Sequence, residues 1–297
     1  MTRIPRDRFT YQFSPDLTPV ATIDPGDQVV FETYDTSSGR LTSRDNLEVF
    51  LRVRDPKKVN PAAGPVFVQG AEPGDELVVE IVDIALARQG WVRIVRGAGV
   101  LQSEIDQDGI SFVQVEGDEL VFDMGLRMPA RPMVGVIGTA PATGVIYTAE
   151  PGPQGSNIDV NMITVGARVH LPVHVPGALL AIGDVHATMG DGEATGTGVE
   201  IPAEVTARIE LSKGTAPGRV WIETADAWVT TGHAPTLEAA VEIAVEELCT
   251  ILRANLRVTR TEAFLLISAR GDIRIGQCAR IPGLDATAYA VFPRLTI

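Results

Sequence analysis

The sequence predicts a mainly β chain: a β-sandwich of two sheets with a C-terminal helical layer, α+β overall. Three observations carry this reading. Glycine (29) and proline (20) are frequent and spread out, which suits many short strands joined by turns through the first 230 or so residues. The turn sequences Asp24-Pro25-Gly26-Asp27 and Glu72-Pro73-Gly74-Asp75 each lead into an apolar, β-branched run. After that the period changes, and apolar residues from Leu237 to Leu252 recur at helical spacing.

The first turn precedes Val29, Phe31 and Thr33, which alternate with Val30 and Glu32. The second precedes Leu77 to Val82. Arg168 to Val173, Ala178 to Ile182, Val205 to Leu211 and Val220 to Thr224 are further strands by the same criteria. Thr236 is placed to cap a helix running to about Ala254, with Glu238 near its positive end. Glu238, Glu242, Glu246 and Arg253 fall on its solvent side. Thr259 and Glu262 have the spacing of a capping box, so a second, buried helix follows from Ala263 to Ser268. Ile273 and Ile275, then Ala286 to Phe292, read as two closing strands. No Pro/Gly/Ser linker is long enough to divide the chain, so residues 1–297 are expected to form a single domain.

Composition narrows the function. The chain of 297 residues is 45% hydrophobic, enough for a full core. It contains no run of about 18 uncharged apolar residues. Its first residues, Met1 to Arg8, carry charge with no apolar stretch behind them, which points to a cytoplasmic protein. Two cysteines, Cys249 and Cys278, argue against a disulfide framework or a four-cysteine zinc site. The net charge of −13 disfavours nucleic acid and anionic membranes as partners and favours a small neutral substrate.

The densest polar cluster is Gly183-Asp184-Val185-His186-Ala187-Thr188-Met189-Gly190-Asp191-Gly192-Glu193. Extended geometry would put Asp184 and His186 on one side of a strand. Gly190 and Gly192 would let the chain return Asp191 or Glu193 to that side. Carboxylate and imidazole together suit a divalent cation, whereas spacing alone favours an ordinary strand-end turn over a metal site. A second cluster, Gly155-Ser156-Asn157-Ile158-Asp159-Val160-Asn161, would place Asn157 and Asp159 on one face. Asp35 ends the first strand. His170, His174 and His233, like Cys249, read as packed or exposed structural residues. No Gly-x-Ser-x-Gly elbow, His-Glu-x-x-His helix, P-loop or dinucleotide fingerprint is present.

Three segments together resemble the acetamidase/formamidase family: Gly64-Pro65-Val66-Phe67-Val68-Gln69-Gly70-Ala71-Glu72-Pro73-Gly74-Asp75, then Asn157-Ile158-Asp159, then Gly183-Asp184-Val185-His186-Ala187 with Gly190-Asp191-Gly192-Glu193. Glu262-Ala263-Phe264 and Ser268 are similar to that family's terminal helix, so the resemblance runs from about Thr33 to Pro293. It implies hydrolysis of short aliphatic amides, such as formamide and acetamide, to acid and ammonia. It also implies a β-rich dimer or larger oligomer that binds a divalent ion, zinc or calcium among them. By position, Asp159 and His186 match acidic and imidazole places of the motifs, and Asp184, Asp191 and Glu193 the rest of the constellation.

The expected metal ligands are drawn from Asp35, Asp159 and His186, with Asp184 and Glu193 beside them. Zinc is the first choice because a histidine is present, with calcium the alternative. Glu193 is the expected proton acceptor, Asp184 and Asp191 share the catalytic cluster, and Asn157 and Met189 are candidate substrate contacts. Ser156 and Met189 stand where the family often has Gly and Gln, and a Met facing the pocket would make it greasier. Two alternatives stay open: a calcium-stabilised small-molecule-binding β-sandwich, and a hydrolase of another carbonyl compound.

Overall fold

The computed structural model describes residues 1–279, 281 and 283–295. Two large sheets dominate. One has nine strands in the order Thr2–Ile4, Gln28–Thr33, Ala203–Ser212, Glu76–Leu86, Arg168–Pro172, Trp221–Glu223, Ala227–Ala234, Ala286–Pro293 and Asp272–Gln277. The other has seven, with Leu180–His186 lying between Met133–Gly138 and Ala62–Val68. Pairing is mostly antiparallel; Thr2–Ile4 with Gln28–Thr33 and Ala21–Ile23 with Ala62–Val68 are parallel. Two smaller sheets, of four and two strands, extend the expected pair.

The core forms between the two large sheets. Val29, Phe31, Val79 and Val205 from one meet Val66, Val134, Ile137 and Ile182 from the other. Ala203–Ser212 shows the alternation the sequence predicts, with its odd-numbered residues from Ala203 to Ile209 buried. Leu180–His186 is buried along its whole length, as a central strand covered on both faces must be.

The helical layer lies on the far end of the nine-stranded sheet. α2 spans Leu237–Leu256, and Thr236 caps it by accepting from the Ala239 N–H. A cap contributes about 1 kcal/mol, whereas a buried leucine contributes roughly 1.5–3 kcal/mol, so packing dominates. Ala244, Leu248 and Leu252 of α2 pack with Trp228, Ala290 and Phe292 of the sheet. α3, Arg260–Arg270, begins with the capping box of Thr259 and Glu262. Its expected burial needs correction. Only Ala263 and Ile267 are buried, because α3 is the outermost layer, and Phe264 and Leu265 face solvent. A further short helix, α1 at Leu47–Val53, was not anticipated. No helix among the described residues is long and apolar enough to cross a membrane.

α2 reaches the sheet at Gly232. A Cβ there would lie 2.1 Å from the Ala240 carbonyl oxygen and 2.7 Å from the Ala244 nitrogen, both backbone atoms that cannot move aside. Gly232→Ala should therefore lower Tm by several degrees, measured by calorimetry, as overpacking costs about 1–3 kcal/mol. An unchanged Tm would mean that the helix sits further from the sheet.

Candidate active site

Five ionisable side chains converge where the two large sheets come together. Asp184 and His186 end the strand Leu180–His186. Asp159 follows the short strand Gly155–Asn157, Glu193 lies in the loop after His186, and Glu200 precedes Ala203–Ser212. Asp159, His186 and Glu193 each offer a ligand atom within 4.8 Å of the others, and so do Asp184, His186 and Glu200. The four carboxylates line a cavity of ≈ 250 Å³, with His186 fully buried beneath them.

The backbone is bent to achieve this. Asn60, Asp159, Asp184 and Glu193 all have positive φ, between 41° and 54°. Such values are uncommon outside glycine and cluster at functional sites. Asp184 and His186 do converge, His186 Nε2 lying 3.8 Å from Asp184 Oδ1. Simple alternation along an extended strand is not the reason, since Asp184 leaves the extended region. Gly135, on the neighbouring strand, makes room: a Cβ there would fall 2.5 Å from Asp159 Oδ1 and 2.9 Å from Asp184 Oδ2.

Neutral donors position the acids. Gln277 Nε2 donates to Glu193 Oε2 (2.8 Å) and Asp159 Oδ2 (3.2 Å). Asn60 Nδ2 donates to Asp184 Oδ2 (2.9 Å) and Asn157 Oδ1 (3.0 Å), and Thr36 Oγ1 donates to Asn60 Oδ1. The Gly198 N–H donates to Glu193 Oε1 (3.0 Å), and the Thr36 N–H to Glu200 Oε2 (3.2 Å). Asp159 Oδ1, Asp184 Oδ1 and both His186 nitrogens complete no hydrogen bond among the described residues, although His186 Nε2 lies 3.4 Å from Glu200 Oε1. Buried polar atoms are rarely left unmet. Orphaned carboxylate oxygens around an imidazole are a donor set that fits a divalent cation.

Electrostatics agree with the geometry. Burial pushes Asp159 up to about 6, against the pull of His186. Burial, then Asp159, pushes Glu193 up to about 8. Burial and Glu200 hold Asp184 well above the usual carboxylate range. Burial lowers His186, but the surrounding carboxylates outweigh it and raise the imidazole well above its ordinary value. Like charges packed this closely need protons or a cation.

The other expected residues lie elsewhere. Asp35 is buried but does not line the cavity; its Oδ1 accepts from the Ser37 and Gly39 N–H groups (2.7 and 3.2 Å) and from the Ser37 hydroxyl. It shapes the turn that carries Thr36 to Glu200. Asp191 is exposed and outside the cavity lining, accepting from Asn161 Nδ2 (2.6 Å) and Tyr289 Oη (2.5 Å). Met189 is buried against the Gly198 backbone and does not line the cavity either. Asn157 does line it. Glu200, Gln277 and Asn60 were not singled out from the sequence, because each stands alone in its segment, and Thr36 stood only as the neighbour of Asp35.

The sequence profile of the acetamidase/formamidase family matches residues 5–150 and 144–293. The chain belongs to this family. Its structure superposes on that of an acetamidase from Bacillus halodurans with a TM-score of 0.92 and 36% identity, covering 98% of this chain and 97% of the other. A protein from Thermoanaerobacter tengcongensis described as a predicted acetamidase/formamidase gives a TM-score of 0.92 at 35% identity, covering 98% and 95%. The formamidase of Methylophilus methylotrophus is 26% identical over 68% of this chain, a match that spans 63% of that relative's length.

The raised groups make a measurable prediction. In the folded, metal-free protein Asp159 moves from 3.8 to about 6 and Glu193 from 4.5 to about 8. The folded state therefore holds more protons than the unfolded chain, and these groups withdraw stability as pH rises through that window. His233, lowered from 6.5 to about 4 by burial and Arg219, acts in the opposite sense. A comparison with a variant cancels it. In chelator-treated protein, Glu193→Gln should gain Tm relative to the unmodified chain as pH rises from 4.5 to about 8. A difference that stays constant with pH would show that Glu193 titrates normally.

Proposed function

We propose that the protein hydrolyses the C–N bond of a short aliphatic amide, giving a carboxylic acid and ammonia, with a divalent metal ion held at the base of the cavity. The observation that carries this reading is the buried ring of Asp159, Asp184, Glu193 and Glu200 around His186, with ligand-bearing atoms unmet and facing one another. Membership of the family, and the acetamidase named among the similar structures, support the reaction class.

Asp184, His186 and Glu200, whose ligand atoms lie within 4.8 Å of one another, would hold the ion, with Asp159 facing the same imidazole, and zinc is favoured because an imidazole is present among the oxygens. Bound there, such an ion supplies a polarised carbonyl and a water whose pKa falls to about 7. The chain's own residues manage the protons. Glu193 faces the cavity, where its carboxylate is placed to act as a general base. It would take the proton from water and pass it to the leaving nitrogen. Gln277 and the Gly198 N–H fix the two Glu193 oxygens, so the carboxylate enters the cavity in one orientation. Asn157 lines the same cavity and would orient the amide. A space of ≈ 250 Å³ suits a small substrate.

An ammonia-release assay over formamide, acetamide and propionamide tests this, run after chelation and again with zinc, manganese or calcium restored. Activity should depend on the added ion. Glu193→Gln should retain bound metal by elemental analysis while losing about 10²–10⁴-fold in kcat. His186→Ala should lose the metal itself. No release from any amide with any ion, or a rate indifferent to chelation, would overturn the proposal.

A further inference from the structure

One wall of the cavity carries charge that amide hydrolysis does not use. Arg93, on the strand Gln89–Ile94, lines the cavity together with Arg54, which follows α1. Arg93 is only 9% exposed, and its Nε and Nη1 have no hydrogen-bond partner among the described residues. The carboxylates of Glu200 and Glu193 act on it only through space. Aromatic rings flank it instead: the Arg93 Cζ lies 5.8 Å from the Phe50 ring centre and 5.6 Å from that of Trp91. The ring faces attract a cation but accept few of its N–H groups. Main-chain bonds fix its place, the Arg93 N–H donating to Thr197 Oγ1 (3.2 Å) and Thr197 Oγ1 donating to the Arg93 carbonyl (3.1 Å). These bonds hold the Arg93 backbone beside the loop that carries Glu193 and Glu200.

A buried guanidinium with unmet donors is unfavourable unless an anion completes it. Arg54 sharpens the point. Burial lowers its pKa, and no described carboxylate counters this. Burial, then the neighbouring Arg54, pulls Arg93 down to about 10, so the two cations repel each other in a confined space. The planar fork of an arginine matches a carboxylate, and a cavity of ≈ 250 Å³ that also takes an amide leaves room for a group of about that size. The charge of the whole chain favours a neutral substrate; the charge on this wall does not.

We infer that Arg93 and Arg54 form a carboxylate-binding subsite, and that the preferred substrate is a monoamide of a short dicarboxylic acid. The inference rests on the amidase reading for the other end of the molecule. Water adds across the amide: the C–O bond forms, the C–N bond breaks, a proton passes to nitrogen, and a dicarboxylate and ammonia leave. The second carboxylate takes no part in the chemistry and serves to place the amide carbon over the acidic base of the cavity.

The test compares malonamate, succinamate and glutaramate with neutral amides in which an isopropyl group replaces the carboxylate, using metal-loaded protein. At least one acid should exceed its neutral isostere by about tenfold or more in kcat/KM. Arg93→Gln should reduce that ratio to near one, and Arg93→Lys should retain part of it. If Arg93→Gln does not fold, Arg54→Gln, at a more exposed position, should lower the same ratio. Neutral amides turned over as well as their acidic counterparts would overturn the inference while leaving amide hydrolysis intact. Calorimetric titration with succinate separates the two readings, because it needs no turnover. Binding that weakens in Arg93→Gln and survives chelation supports the subsite even if no amide is cleaved. Binding lost on chelation and unchanged in Arg93→Gln places the anion on the metal, and the subsite is wrong.

Discussion

The structure around the cavity depends on one electrostatic constraint: four carboxylates and an imidazole share a space from which bulk water is excluded. Removing ionised groups from water is expensive, and bringing carboxylates together adds repulsion. Such a cluster persists only if its members are neutralised and held. Gln277 bridges Asp159 and Glu193, and Asn60 bridges Asp184 and Asn157. Each amide contributes two N–H donors to a group of acceptors without adding charge. Since two carboxylate oxygens and both imidazole nitrogens stay unmet by any described residue, the hydrogen bonds position the cluster but do not complete it.

The same constraint explains the backbone around the site. Groups that repel do not converge by packing alone, and here the main chain forces them together. Four residues at the cavity, Asn60, Asp159, Asp184 and Glu193, adopt left-handed φ. Gly135 and Gly198 keep Cβ atoms away from Asp159, Asp184 and the His186 ring. Left-handed conformations cost of order 1 kcal/mol or more per non-glycine residue, and they persist only where the surrounding structure fixes them. The two large sheets supply that rigidity. Their apolar core is contiguous beneath the site, and His186 is paired with Met133 on one side and bridged to Glu200 on the other.

Much of the fold was legible in the sequence because it rests on local patterns. Turn residues, strand alternation and the helical period of Leu237–Leu252 each act over a few residues, and the structure places strands and α2 where they indicate. The burial of α3 was misjudged because an apolar run does not reveal which layer is outermost, and Phe264 and Leu265 face solvent. The site was legible only in part. Asp159, Asp184, His186 and Glu193 stand in compact motifs, and all four fall in the cluster. Glu200 and Gln277 reach it from segments whose sequence is unremarkable, through sheet pairing that no local pattern encodes. Asp35 and Asp191 carry the right chemistry at strand ends but spend it on a turn and on Tyr289. A carboxylate beside a turn looks the same in sequence whether it binds a cation or caps a loop.

The two departures from the family pattern illustrate where specificity resides. Ser156 sits at φ 78°, where glycine is easier, and its hydroxyl turns to the Tyr147 carbonyl. Met189 is buried and not part of the cavity lining. Neither substitution alters the surface a substrate meets. Acids that would bind a cation and the guanidinium groups of Arg54 and Arg93 line the same cavity, yet no described carboxylate forms an ion pair with either arginine. Had the arginines been present to balance the acids, ion pairing would be the lower-energy arrangement, and each would have collapsed onto the other. The aromatic seat of Arg93 opposes this and keeps two unlike binding surfaces in one small cavity. A molecule that satisfies both must carry a carbonyl at one end and a negative charge at the other.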